Sequence, residues 1–242
     1  LIISVASVQA QKSQVIAHRG YWKTAGSAQN SITSLQKADS IHCYGSEFDV
    51  WLAKDNKLVV NHDPVYKMKY MEYSKGDALT GLKLSNGENL PSLQKYLEAG
   101  KKCNTKLILE LKAHNSKKRE TKAVQEILAM VKKMGLEDRM EYITFSLHAM
   151  KEFIRLAPAG TPVFYLNGEL SPKELKDLGA AGLDYHMGVI KKHPEWIKEA
   201  HDLGLKVNVW TVDKAEDMKW LIDQKVDFIT TNEPIVAQDM LK

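Results

Sequence analysis

The sequence predicts an α/β fold, a (β/α)8 barrel with a β-hairpin extension after its second strand and a small insertion. From residue 106 onward, short apolar runs alternate regularly with amphipathic helical patterns, as in parallel sheets whose strands are joined by helices. In the first half, two apolar runs are joined only by AKDNK, which is too short for a parallel crossover, so they form an antiparallel hairpin. Without the returning hairpin arm, eight strands remain in sequential strand–helix units. A doubly wound open sheet is the alternative.

The predicted strands are short apolar runs, several of which end in polar residues. In chain order they are VIAH (15–18), YGSEFDVWL (44–52), KLVVNH (57–62), KLILEL (106–111), EYITF (141–145), PVFYL (162–166), LDYH (183–186), KVNVWT (206–211) and DFIT (227–230). Helix boundaries between them are predicted at about Ser31, at SPKE (171–174) as a capping box, at Asp213 as an N-cap, and at Gly135 and Gly179 as stops.

Two segments fit neither the strand nor the helix period. Residues 63–90 are rich in Lys, Tyr, Met, Gly and Asn, which predicts a lid or rim insertion, or a plain surface insertion. Residues 1–10 are apolar, with Val8 and Ala10 at the spacing of a signal-peptide cleavage site. They are interpreted as a signal-peptide remnant, or alternatively as an N-terminal arm. The first interpretation predicts export to the periplasm or the extracellular space, with one barrel domain over residues 11–242.

The amino-acid composition of the chain limits the kinds of molecule that it is expected to bind. The net charge of +4 and pI of 8.8 are mildly basic, and the lysines occur in short groups typical of solvated helix faces, which argues against nucleic-acid binding. Residues 1–10 are too short to cross a bilayer, so no stable membrane insertion is expected. A small anionic molecule suits the positive field better. Cys43 and Cys103 are compatible with a disulfide or with two buried thiols.

Polar residues stand at the ends of several predicted strands, where parallel barrels carry their active sites. They are His18 and Arg19 on the first strand, Glu47 and Asp49 on the second, His62 on the hairpin arm, and Glu110 and Lys112 on the third barrel strand. Glu47 and Asp49 are two residues apart, so their side chains share one face. If residues 55 and 56 form the hairpin turn, His62 lies directly across from Asp49.

This set of residue types predicts a metal–phosphate site. Three carboxylates share a small space only if a cation neutralises them, and oxygen ligands without cysteine favour magnesium or calcium. Arginine and lysine suit an anion such as phosphate, and two histidines can divide the roles of general base and general acid. His186 and Trp210 also end strands and are predicted to line the pocket or to pack at its rim. Each residue alone has an ordinary structural explanation; their convergence favours a site.

These segments together resemble the glycerophosphodiester phosphodiesterase family. The matching stretches are VIAHRG, AQNSITSLQKA, EFDVWLAKDNKLVVNHDP, LILELK, VNVWTVD and FITTNEP, in order between residues 15 and 234. The resemblance implies a TIM barrel that hydrolyses glycerophosphodiesters to glycerol 3-phosphate and an alcohol by in-line phosphoryl transfer, using a divalent cation. It assigns metal binding to Glu47, Asp49 and Glu110, acid–base catalysis to His18 and His62, and phosphate binding to Arg19 and Lys112.

One position departs from the family pattern. The family usually has Pro-Glu-Asn-Thr after the HRG motif, where this chain has Ala-Gln-Asn-Ser at residues 28–31. Asn30 is retained and is a candidate pocket residue, but Gln29 is neutral where the family has Glu. This change keeps open a weakened relative that only binds a phosphodiester or another anion. A barrel enzyme acting on a sugar also stays open, because Trp22, Trp51 and Trp210 could stack on sugar rings.

Overall fold

The structure is a computed structural model that describes residues 12–242. The predicted signal-peptide remnant lies outside the described residues, so export stays a prediction. The strands are β1 (Gln14–Ala17), β2 (Gly45–Leu52), β3 (Leu58–Val60), β4 (Val65–Tyr66), β5 (Lys69–Tyr70), β6 (Lys106–Leu111), β7 (Met140–Thr144), β8 (Val163–Tyr165), β9 (Gly182–His186), β10 (Lys206–Trp210) and β11 (Phe228–Thr231). The helices are α1 (Ile32–Ser40), α2 (Gly76–Thr80), α3 (Leu93–Gly100), α4 (Lys117–Met134), α5 (Leu147–Leu156), α6 (Pro172–Leu178), α7 (Met187–Lys192), α8 (Glu195–Asp202), α9 (Ala215–Asp223) and α10 (Pro234–Met240), with a 3-10 turn at Glu137–Arg139.

Eight parallel strands close into a barrel. The order is β1, β2, β6, β7, β8, β9, β10, β11, and β1 pairs in parallel with both β2 and β11. The predicted (β/α)8 barrel is therefore confirmed, and the open-sheet alternative is wrong. Alternate strand residues face opposite sides. Leu107 and Leu109 pack in the large core between strands and helices, whereas Ile108 belongs to a separate apolar cluster that fills the lumen.

Most predicted helix boundaries are present in the structure. Ser31 caps α1, Ser171 forms a capping box with Glu174, and α4 and α6 end at Gly135 and Gly179 in left-handed conformation. The Asp213 N-cap is wrong, because the N-cap position of α9 is Lys214. The Asp213 carboxylate instead accepts hydrogen bonds from Thr231 and Asn232 on the neighbouring strand end.

The hairpin after β2 forms as predicted, but its register differs by one residue. Val50 pairs with Val60, and the Asn61 N–H donates to the Asp49 carbonyl (3.0 Å), so Asn61 and not His62 lies across from Asp49. The cause is the turn, which holds three residues and ends with Asn56 in left-handed conformation (φ 65°). A one-residue change of register exchanges the faces of the returning strand. Since β3 ends at Val60, His62 lies in the loop beyond it and reaches the cavity from there.

Residues 63–90 form an ordered rim on the hairpin. The β4–β5 hairpin and α2 lie within it, and its own small core, which includes Met71 and Leu79, packs against Trp51 of β2. Tyr66 lines one groove together with His62, so the insertion borders the predicted site.

Two further expectations concern cysteines and membranes. Cys43 and Cys103 are both buried free thiols. Of the two expectations, the structure therefore shows the pair of free thiols and not the disulfide. Between residues 12 and 242, no helix combines the length and the hydrophobicity that a bilayer crossing requires.

Candidate active site

The predicted polar residues converge on one cavity at the carboxyl end of the barrel. The cavity has a volume of about 110 Å³. Among its lining residues are His18, Arg19, Glu47, His62 and Glu110. Asp49 and Lys112 adjoin it through the ion pairs described below. Parallel pairing accounts for the convergence, because Asp49 and Glu110 are register partners on β2 and β6.

The turn after β1 positions the first members of the site. Arg19 is in left-handed conformation (φ 57°), and its N–H donates to Glu47 Oε2 (2.8 Å). Gly20 follows with φ 78°, and a Cβ there would lie 2.3 Å from the Ser34 hydroxyl oxygen of α1. Only glycine fits this turn, because both the backbone conformation and the approach of α1 exclude a side chain. Gly20 thus allows the turn that ends β1 and directs the Arg19 N–H at Glu47.

Three buried carboxylates form the centre of the site. One oxygen each from Glu47, Asp49 and Glu110 lies within 4.8 Å of the others, and none of the three residues is more than 7% exposed. Glu47 Oε1 has no hydrogen-bond partner among the described residues. A buried acceptor without a partner is costly, so this oxygen is available for a ligand. The set could hold a hard divalent cation.

Two cations and an amide surround Asp49. Lys112 Nζ lies 3.3 Å from Asp49 Oδ1 and 2.7 Å from Glu110 Oε1, and Arg19 Nε lies 3.8 Å from Asp49 Oδ2. Asn30 Nδ2 donates to Asp49 Oδ2 (2.8 Å), while the Asp49 N–H donates to Asn30 Oδ1 (3.1 Å). Asn30 therefore holds a carboxylate in place, and it borders the adjoining groove rather than the cavity itself.

The three carboxyl groups differ in the direction in which the fold shifts their pKa values. Burial, then Asp49 and Glu110, raises the pKa of Glu47 well above its ordinary value, and burial with Asp49 raises the pKa of Glu110 to about 8. Burial also acts to raise the pKa of Asp49, but Lys112, His62 and Asn30 outweigh it and lower that pKa. Without a metal ion, only Asp49 is well compensated as an anion. A cation would replace the protons on the other two.

A hydrogen-bond chain fixes the tautomer of His18. Asn232 Nδ2 donates to Asp213 Oδ2 (2.8 Å), and a carboxylate only accepts, so the Asn232 amide has one possible orientation. Its Oδ1 therefore accepts from His18 Nδ1 (2.9 Å), which leaves Nε2 of the neutral ring as the acceptor. Burial and the adjacent Arg19 lower the pKa of His18 to about 4, so the ring is neutral at neutral pH.

His62 stands in a different environment. Its Nδ1 lies 2.8 Å from the Oδ1 of Asp63, an exposed carboxylate. Burial lowers the pKa of His62, but the Asp49 and Asp63 carboxylates oppose this shift. The two histidines thus differ, because the partner of His18 is a neutral amide and that of His62 is an anion.

Comparison with known proteins identifies this arrangement. The sequence pattern of the glycerophosphoryl diester phosphodiesterase family matches residues 18–236. The chain belongs to this family. The chain is 52% identical to the glycerophosphodiester phosphodiesterase of Parabacteroides distasonis, whose crystal structure superposes with a TM-score of 0.94 over 96% of this chain and 97% of that one. The glycerophosphodiester phosphodiesterase of Caldanaerobacter subterraneus is 27% identical over 92% of this chain and 95% of that protein. An Oleispira antarctica phosphodiesterase, solved in complex with the product sn-glycerol-3-phosphate, shares the fold at 22% identity, with a TM-score of 0.82 over 94% and 96% of the two chains.

Family membership makes the chain a phosphodiesterase and decides against the sugar-acting alternative. Of the two predicted pocket aromatics, Trp210 lines the cavity, and its Nε1 donates to the Asp184 carbonyl (2.8 Å). His186 is exposed and is not among the residues lining the cavity. Its ring packs against Trp210 at 5.1 Å, and its Nδ1 accepts from the Gly188 N–H. It therefore has the rim-packing role.

Sequence reasoning missed Asp184, Asn232 and Asp213 of the phosphodiesterase. Asn232 directly follows β11, so the strand-end argument that found His18 could have found it.

His114 lies in the loop after β6, and no pattern in the sequence indicates its structural role. Its Nε2 accepts from the Leu52 N–H (2.9 Å) and its Nδ1 donates to the Lys112 carbonyl (2.6 Å), which ties the Lys112 loop to β2.

Proposed function

We propose that the chain hydrolyses glycerophosphodiesters to glycerol 3-phosphate and an alcohol, with a magnesium or calcium ion held by Glu47, Asp49 and Glu110. The observation that carries this proposal is the unpartnered Glu47 oxygen in a buried group of three carboxylates, beside two cations and two histidines. When bound, the ion would neutralise the carboxylates and polarise a phosphoryl oxygen.

The charges of the site are compatible with a bound divalent cation. Metal ligation needs all three carboxylates ionised, and together with Arg19 and Lys112 they then carry one net negative charge. A divalent cation changes this to one net positive charge, which matches the single negative charge of the substrate. Arg19 and Lys112 then contact the nonbridging phosphate oxygens through charge-assisted hydrogen bonds.

The environments of the histidines suggest which is the base. His18 is neutral with a bare Nε2, so it takes the proton of the attacking oxygen, which belongs to a glycerol hydroxyl or to water. That oxygen forms the new bond to phosphorus as the bond to the leaving alcohol breaks. His62 in its protonated form, which the Asp63 carboxylate at Nδ1 stabilises, donates its Nε2 proton to the leaving oxygen and becomes neutral. If water attacks, glycerol 3-phosphate forms directly, and each histidine then exchanges one proton with solvent to restore the starting state. If the glycerol hydroxyl attacks, a cyclic glycerol phosphate forms. Water then opens this ester to glycerol 3-phosphate, as His62 takes the proton of the water and His18 returns its proton to the glycerol oxygen.

The experiment is hydrolysis of glycerophosphocholine, glycerophosphoethanolamine and glycerophosphoglycerol with magnesium, calcium or EDTA, scored by release of glycerol 3-phosphate. We expect release that depends on the metal and is lost in EDTA. No release from any substrate, together with saturable metal binding, would overturn the proposal in favour of a relative that only binds its ligand.

A change of leaving group in the substrate can distinguish the roles of the two histidines. His18→Ala and His62→Ala should each lower turnover of glycerophosphocholine by at least ~100-fold. A glycerophosphodiester with a p-nitrophenyl leaving group needs no protonation, so His62→Ala should lose much less activity on it than His18→Ala. The reverse pattern would exchange the two roles, and near-normal activity of both variants would refute the assignment.

A further inference from the structure

One more acid faces the lumen, on the wall formed by β9. Within that strand, Leu183 and Tyr185 pack under the helices, so Gly182 and Asp184 face inward. Asp184 is 2% exposed and lines the same cavity as His18 and Glu110. It lies three strands from the Glu110 strand around the barrel, away from the metal-binding group.

The Asp184 side chain has one unused oxygen. Oδ1 has no hydrogen-bond partner in the described part of the chain. On the next two strands, Asn208 Nδ2 donates to Thr230 Oγ1 (2.9 Å), and the Thr230 hydroxyl donates to Asn208 Oδ1 (3.1 Å). Burial, with a further contribution from Glu110, raises the pKa of Asp184 well above its ordinary value and outweighs the opposing hydrogen bond with Asn208. The fold therefore favours the neutral form of this group, which can donate as well as accept.

Another lumen acid shows that burial alone does not leave an oxygen unused. Glu141 on β7 is also buried, at 4% exposure, but it accepts a hydrogen bond from the Tyr44 hydroxyl and lies outside the cavity lining. The barrel therefore supplies a partner to Glu141 and none to Asp184 Oδ1, and Asp184 is the one that borders the cavity.

The surroundings of Asp184 suit a short carbon chain with a hydroxyl group. Phe145, Leu166 and Trp210 line the same cavity. Trp210 is held by its hydrogen bond to the Asp184 carbonyl and by an edge contact with Phe145 at 5.6 Å. Aromatic and aliphatic walls accept carbon atoms, and a neutral acid binds a hydroxyl better than it binds a cation. Of the two groups esterified to the phosphate, the glyceryl group fits this description and a cationic head group does not.

Building on the proposed function, we propose that Asp184 binds the terminal hydroxyl of the glyceryl group and so selects glycerophosphodiesters over phosphodiesters that lack this hydroxyl. Asp184 touches substrate away from the reacting phosphorus, so it is a specificity residue rather than an acid or base of the reaction.

The test compares glycerophosphocholine, whose phosphate is on carbon 3, with its 1-deoxy analogue, the phosphocholine ester of propane-1,2-diol. The analogue keeps the 2-hydroxyl, so either nucleophile remains possible. The wild-type enzyme should prefer glycerophosphocholine by roughly 10- to 100-fold in kcat/KM. Asp184→Leu should lose this preference through a lower kcat/KM for glycerophosphocholine, with the analogue changed by less than about threefold. Glu141→Gln, the matched control, should keep the wild-type preference.

Two results would overturn the inference. In the first, the wild-type enzyme has the same kcat/KM for glycerophosphocholine and for its deoxy analogue. In the second, Asp184→Leu lowers kcat/KM equally for both substrates. A loss seen with glycerophosphocholine and absent with glycerophosphoglycerol would show that the acid binds the cationic head group instead. If Asp184→Leu does not fold, the isosteric Asp184→Asn decides, with an expected three- to tenfold fall in preference; an unchanged preference refutes the role. Absence of wild-type turnover on both substrates would instead refute the proposed function and this inference with it.

Discussion

The lumen of the barrel holds buried acids at two levels, and their surroundings differ. Toward the amino-terminal end of the strands, Glu141 is paired with the Tyr44 hydroxyl. At the carboxyl end, Glu47 keeps a buried oxygen without a partner beside Asp49 and Glu110. An apolar cluster that includes Ile108 and Phe164 fills the lumen between the strands. This fold can therefore give a buried carboxyl group a partner, and it leaves carboxyl oxygens without one where a ligand is proposed to bind.

The largest effect should come from removing one carboxyl group at the carboxyl end of the strands. Glu47→Gln should lower kcat/KM for glycerophosphocholine by roughly 1000-fold, because one metal ligand is lost. The melting temperature of the metal-free protein should stay the same or rise, since burial already favours the neutral form of Glu47. Steady-state kinetics and thermal unfolding in EDTA measure the two quantities.

The control for that comparison is Glu141→Gln. It should leave kcat/KM within about threefold and lower the free energy of unfolding by about 1–3 kcal/mol, because its hydrogen bond with Tyr44 is weakened. If Glu141→Gln harms activity more than Glu47→Gln does, the two ends of the lumen do not differ as described.

A smaller effect is expected from the chain that orients His18. Asn232→Ala should lower kcat by roughly 10- to 100-fold with little change in KM, because the ring loses its fixed tautomer while it remains present. Asn115, whose side chain contacts the exposed Tyr73, offers a matched control, and Asn115→Ala should leave kcat unchanged. A change confined to KM would contradict a positioning role.

Metal binding should stabilise the fold more at high pH than at low pH. The pKa of Glu110 is raised to about 8 in the fold, whereas an unfolded glutamate titrates near 4.3. Between these values the metal-free fold binds more protons than the unfolded chain, so its free energy of unfolding falls as pH rises. A bound cation replaces those protons. The rise in melting temperature on adding magnesium or calcium should therefore be about 3 °C or more larger at pH 8 than at pH 5.5. Equal rises at both pH values would show that the ion does not compete with these protons.

The smallest effect concerns Gln29, the departure from the family pattern. Arg19 Nη1 donates to Gln29 Oε1 (2.8 Å) at an exposed position, so the neutral side chain already makes the contact. Gln29→Glu adds only an exposed ion pair, and kcat/KM should stay within about threefold of the wild type. A gain of more than tenfold would instead identify Gln29 as the cause of a weakened enzyme.

Much of the site was predictable because parallel strands bring their carboxyl ends together. This rule predicts that His18, Glu47 and Glu110 lie together, and all three line one cavity. It failed at the hairpin, where the left-handed Asn56 adds a third turn residue and moves Asn61 opposite Asp49. The site still forms, because His62 reaches it from the loop beyond β3.

Patterns along the chain were enough to predict the alternation of strands and helices, and with it the barrel, the common level of the polar strand ends and the family. Periodicity and residue type are local properties, so they can be read along the chain. The pairing of individual atoms depends on the folded chain. His18 bonds Asn232, 214 positions away, and Asp184 keeps an unused oxygen. These outcomes depend on distances of a few ångströms between strands far apart in the chain, because hydrogen bonds weaken steeply with distance and angle.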